Sequence, residues 1–207
     1  LFMARAIRIC RTQLTHLCLL PLLGAVAFWL LIPVLFGTAM LDARAASQVL
    51  EGVFPLAGAL LLVPLFAPER RPGLLDCVAA RRASHLWVCG LRAAAMLGVL
   101  ALLDAGLWLL MAAQGCAVSA AQLLAAFANG LALGALGLLA SALSASEIVG
   151  ALAALGWYTM DFFSDSCGGA SLFLLSRGRG APKLFVLAAG LLLLGAAFLV
   201  FYRRMRR

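Results

Sequence analysis

Hydrophobic positions in this chain do not alternate with polar ones; they run on. A helix needs about 20 apolar residues to cross a hydrocarbon core about 30 Å thick. Runs of that order, bounded by charged or turn-forming residues, fall at approximately 17 to 38, 49 to 67, 86 to 113, 120 to 144, 147 to 163 and 183 to 202. The pattern predicts an all-α membrane protein with six transmembrane helices in one domain over residues 17–207. Leu and Ala dominate these runs, so the helices carry little moment and their lipid-facing sides are not marked.

Two segments depart from this pattern. LFMARAIRICRTQLTH, residues 1–16, is too polar to cross, and its Arg5, Arg8 and Arg11 recur at helical spacing opposite Phe2, Ile7 and Ile9. That predicts an interfacial amphipathic helix on anionic headgroups. The apolar run after it is long and lacks a small-residue cleavage site, so it is expected to stay in the mature chain. DFFSDSCGGASLFLLSRGRGAPK, Asp161 to Lys183, holds an apolar island, SLFLLS, too short to span. It predicts a re-entrant hairpin dipping into the outer leaflet before the last helix. The connections LDARAAS and GCAVSAA are too short for an external domain.

Composition supports the membrane reading. The 207 residues are 65% hydrophobic and 12% charged, against about a quarter charged in soluble domains. The net charge of +8 sits at the ends of apolar runs and forms no stripe interleaved with aromatics, which points to the bilayer as partner and away from nucleic acid. With both termini inside, Arg5, Arg8, Arg11, Arg70, Arg71, Arg81, Arg82, Arg203, Arg204, Arg206 and Arg207 are cytoplasmic, against Arg44, Arg177, Arg179 and Lys183 outside. The positive-inside rule then predicts a multi-pass protein of the cell (inner or plasma) membrane with both termini cytoplasmic.

Candidate chemistry is sparse. No GxxxxGK[ST] loop is present, and HExxH is absent, with His16 and His85 both at cytoplasmic span edges. GGAS at 168 to 171 has no histidine on its side to act as base. No metal site and no catalytic constellation emerge, so the chain is not expected to be an enzyme.

Charges inside spans are costly and are functional candidates. Arg92, about two turns into the third span, is read as snorkelling to the headgroups. Asp104 lies about 27 Å along the helix from Leu86 at 1.5 Å per residue; it bonds a neighbouring span, sits at the outer interface or belongs to a translocation path. Glu51 and Glu147 suit helix N-terminal acids, and Asp161 and Asp165 are assigned to the outer loop. Among six cysteines, Cys116 and Cys167 fall in outer loops and form a candidate disulfide pair. NGLALGALGLLAS places Gly130 and Gly134 in GxxxG spacing, with Gly137 and Ala140 extending a strip on which helices approach within or between subunits.

One polar stretch stands between the second and third spans: FAPERRPGLLDCVAARRASH, Phe66 to His85. Pro72 suits a first helical position, Asp76 the first turn, and Leu74, Leu75 and Val78 an apolar edge ahead of Arg81 and Arg82. This reads as a short amphipathic helix that lies on lipid or docks on a partner. The longer run PERRPGLLDCVAARRASHLWVCGLRAAA resembles the corresponding loop of ABC-2 type permease subunits, the type-2 ABC exporters. Glu69, Arg71, Gly73, Leu74 and Leu75 stand where that pattern has its acid, basic residue, glycine and leucines, while Asp76 and Cys77 replace a glutamate and a hydrophobic residue. The tight turn LSASEI after a glycine-rich fourth span, the apolar hairpin before the last span and the basic tail YRRMRR follow the same family order.

The resemblance implies a permease whose loop 68–85 is the coupling element to cytoplasmic ABC ATPase subunits, with ATP and Mg bound by that partner and no cofactor bound by this chain. It implies a second permease subunit, making a homodimer or heterodimer. It also implies a pathway lined by spans one, two and five, where Trp29, Phe36, Phe54, Trp157 and Tyr158 offer apolar surface for an amphipathic drug, peptide or lipid. A haem-exporter B-type permease of cytochrome c maturation and a non-transporting membrane scaffold subunit are the alternatives.

Overall fold

The computed structural model describes residues 18–68, 85–164, 171–173, 175–176 and 183–205. The interfacial segment 1–16, the coupling residues Glu69, Arg71, Gly73, Leu74 and Leu75, and Cys167 lie outside the described residues. Among the described residues six helices follow in order: α1 Leu19–Phe36, α2 Ala43–Phe66, α3 His85–Ala113, α4 Ala120–Ser144, α5 Glu147–Phe163 and α6 Leu184–Met205. No strand occurs among the described residues. Each helix falls on one of the apolar runs, because a backbone without water must bond to itself.

Polar residues between the runs set the ends. Gly37 closes α1 at φ 58 with its N–H on the Pro33 carbonyl, a left-handed conformation open to glycine. The Asp42 side chain accepts from Ala45 N–H to start α2. Ser119 and Gln122 form a reciprocal capping box on α4, and Ser146 caps α5 directly after Ala145 ends α4. The two-residue turn leaves α4 and α5 antiparallel neighbours.

The helix α2 is irregular. It is α-helical over Ala43–Ser47, π-helical over Gln48–Val53, α-helical again over Pro55–Leu62 and 3-10 over Val63–Phe66. Pro55 has no N–H, so the Glu51 carbonyl has no partner four residues on. The chain opens the turn instead, with Phe54 N–H on the Val49 carbonyl at 3.2 Å.

At the centre, α4 packs against α6, α2 and α5. Small residues make this possible. A Cβ on Gly58 of α2 would overlap the Gly130 carbonyl of α4, and one on Gly134 would meet the Gly58 carbonyl. Gly137 of α4 and Gly150 of α5 crowd each other in the same way, and Gly190 of α6 lies on Ala132. The GxxxG strip is therefore used within the chain, drawing α2 and α5 onto α4, while Gly190 sets α6 against Ala132.

The two ends of the bundle are tied separately. At one end, here the upper, Met40 N–H bonds the Gln114 carbonyl, Ala117 N–H bonds the Leu41 carbonyl, and Gln122 reaches Ala43 and Ser47. At the lower end Phe66 stacks on Phe201 at 4.1 Å, and Arg204 donates to the Leu143 carbonyl.

Among the described residues five helices are long and apolar enough to cross a membrane: α1, α2, α3, α4 and α6. This marks a multi-pass membrane protein. The expected count of six is not reached on this measure, because α5, with 17 residues, is about 25 Å long at 1.5 Å per residue and falls short of a 30 Å core. Of the expected re-entrant hairpin the structure describes residues 171–173 and 175–176, of which 172–173 and 175–176 form turns.

Candidate functional site

Residues 171–173 and 175–176 enter the bundle and are held there by polar and charged side chains. Their backbone lacks helical partners, and buried backbone groups must be satisfied by something. Four elements supply it. Glu51 comes from the π-helical part of α2, Asn129 from α4, Asp161 from the last turn of α5, and Lys183 from the residue before α6. All four are buried.

Lys183 is the hub. Its Nζ lies 2.9 Å from Glu51 Oε1 and donates to the Leu172 carbonyl at 2.7 Å, Asn129 Oδ1 at 3.3 Å and the Ser171 carbonyl at 3.4 Å. Asn129 Nδ2 donates to the same Leu172 carbonyl at 2.6 Å. The second Glu51 oxygen accepts from Ser176 N–H at 2.9 Å. Asp161 Oδ2 accepts from Leu172 N–H at 2.6 Å and from the Ser171 hydroxyl at 3.3 Å. Arg44 donates to the Ser176 carbonyl at 3.3 Å from the upper rim.

The arrangement is a clasp. One ammonium and two carboxylates, removed from water, are paired with each other and with the loop's own N–H and C=O groups, the condition under which buried charge is tolerated. Chemically it offers no activated nucleophile with a base, and no group of three metal-ligating side chains occurs among the described residues.

Several sequence readings change here. Glu51 is not a solvated helix-start acid but fully buried; the π turn moves it inward and Lys183 neutralises it. Asp161 belongs to α5 and Lys183 to the interior, and neither is a loop residue at the surface. Arg92 does not snorkel: it is 2% exposed and donates to the Leu65 carbonyl at 2.7 Å, satisfying the 3-10 end of α2. A charged residue within an apolar run was the signal for all of these, but the partners lie far apart in sequence.

The pathway candidates are not brought to one surface. Phe54 is fully buried in the core and Phe36 is exposed. Trp29 leans on α3, its indole donating to the Leu103 carbonyl at 2.8 Å. Trp157 and Tyr158 lie together on α5, with the Tyr158 ring 5.6 Å from that of Phe173. Asp104 is buried in the core, and its Oδ1 has no hydrogen-bond partner among the described residues.

Cys116 carries a free thiol among the described residues; Cys167, its candidate disulfide partner, lies outside them. Its Sγ donates to the Thr38 carbonyl at 3.2 Å and accepts from Leu41 N–H at 3.4 Å. It pins the α1–α2 turn.

Comparison with protein-family models, with curated proteins and with solved structures finds no match for this chain. The clasp and the helix order therefore carry the functional argument alone.

Proposed function

We propose that the chain is the membrane-spanning permease subunit of an ATP-driven ABC-2 type exporter, moving an amphipathic drug, peptide or lipid outward. The observation that carries this reading is the course of α2. It leads from the clasp at Glu51 through its tight crossing with α4 to the polar loop 68–85 at the lower end. A helix of 24 residues spans about 36 Å at 1.5 Å per residue, so force applied to that loop reaches the Glu51–Lys183 pair along one element.

On this reading the lower end is cytoplasmic, and Glu69, Arg71, Gly73, Leu74 and Leu75 are gripped by a separate ATPase that binds ATP and Mg. Tilted or locally thinned lipid lets α5 complete six spans, and residues 171–176 are the segment dipping into the outer leaflet. A second permease subunit completes the pathway. ATP shifts the assembly only through its different affinity for the two arrangements.

Co-expression with a P-loop ATPase and co-purification test the reading. The permease predicts a complex whose ATPase activity rises with this subunit present. Glu69→Ala and Gly73→Ala are expected to lower that stimulation. A folded chain that purifies with no ATPase, or stimulation and assembly unchanged in both variants, overturns it in favour of a scaffold.

A further inference from the structure

The helices α5 and α6 flank α4 and leave a crevice of about 160 Å³ between them. Ala132 and Leu136 of α4 form its floor, Trp157 of α5 one wall, Phe185 and Ala189 of α6 the other, and Leu172 a boundary. Every lining residue is apolar. The rim continues into the outer faces of the same helices, where Leu152 and Leu155 of α5 and Leu191 and Leu192 of α6 are exposed. In a multi-pass membrane protein those side chains meet lipid tails.

Depth selects the occupant. Ala132 is twelve residues into α4, about 18 Å along a helix of about 37 Å at 1.5 Å per residue. The crevice thus lies near mid-helix, where a bilayer offers hydrocarbon and no headgroup or water. An empty recess of this kind forfeits contacts on one side of its lining. Apolar protein cavities of about 150 Å³ stay dry and accept small hydrocarbons such as benzene.

We infer that this crevice is a seat for one acyl chain of a bilayer phospholipid, held mid-chain between Trp157 and Ala189 with the remainder along the α5 and α6 exteriors. Lipid tails are as apolar as leucine, so the hold comes from packing, and the chain exchanges with the bilayer. The inference needs only membrane insertion and is independent of the permease reading.

The test uses the full chain in phosphatidylcholine vesicles containing a phosphatidylcholine with a photoactivatable diazirine at mid-acyl chain, with no ATPase present. After illumination, digestion and mass mapping, adducts are expected several-fold denser on Leu136, Trp157 and Ala189 than on exposed Leu192 and Leu20. Ala189→Trp fills the seat and is expected to remove adducts from Leu136 and Trp157 while sparing Leu152 and Leu192. Labelling in proportion to exposure, or persistence at Leu136 and Trp157 in the variant, overturns the seat. Chain-to-chain cross-links at these residues assign the crevice to a second copy and also overturn it. If Ala189→Trp loses its helical circular dichroism, the map on the unaltered chain decides.

Discussion

Lys183 Nζ stands 2.9 Å from Glu51 Oε1, with both side chains sealed inside the bundle. The pair joins the residue before the last helix to the π turn of the second, and residues 171–173 and 175–176 are folded around it. Breaking a buried pair by removing one partner leaves a stranded charge and costs about 3–5 kcal/mol. Lys183→Met and Glu51→Gln are each expected to lower the thermal midpoint in detergent micelles, with Lys183→Met the worse, because Gln still accepts from Ser176 N–H. The double variant is expected to lose less than the sum of the two. Additive losses would show that the residues do not depend on each other.

The α2–α4 crossing permits no Cβ at Gly58. Gly58→Ala is expected to force the helices apart and destabilise by about 1–3 kcal/mol or more. Gly98, whose added Cβ meets nothing within 4 Å, gives the control: Gly98→Ala is expected to stabilise by about 0.5–1 kcal/mol through helix propensity. Thermal unfolding followed by circular dichroism separates the two, and similar shifts in both would remove the crossing as the cause.

Asp104 keeps a buried carboxyl oxygen without a partner among the described residues. Leucine branches at the same position and needs no hydrogen bond, so Asp104→Leu is expected to hold or raise stability, by up to about 1–3 kcal/mol. A fall in the denaturation midpoint would mean that the carboxyl's bond to the Phe127 backbone outweighs the cost of the unpaired oxygen.

Cys116 is buried and bonded to the α1–α2 turn as a thiol. Maleimide is expected to modify it only after denaturation, and gel mobility is expected to be the same with and without reductant. A peptide joining Cys116 to Cys167 in an unreduced digest would contradict the free thiol.

Most helix bounds were legible because continuous apolar runs and their capping residues are local, although α2 starts at Ala43, inside the stretch LDARAAS read as a connection. Ser119 with Gln122, Ser146 and Gly37 mark ends that need no distant partner. The small-residue strip at Gly130 and Gly134 was legible as a contact surface, although its partner Gly58 was not. Less was legible of the interior charges. Arg92 was read as snorkelling, Glu51 as a helix-start acid and Lys183 as an outer residue, and each instead found a partner from another element. The pathway aromatics were grouped by type, and the fold sent Phe54 to the core, Phe36 outward and Trp29 against α3.

Hydrophobic run length, turn residues and the placement of arginines by themselves determined that the chain is helical, where its helices lie and that it suits a membrane, because each depends on neighbours along the chain. Which helix is central, which faces lie open and which charges meet were decided only by the tertiary structure. A buried charge is tolerated only where a second one is delivered to it, and Glu51 and Lys183 are delivered by helices from opposite halves of the sequence.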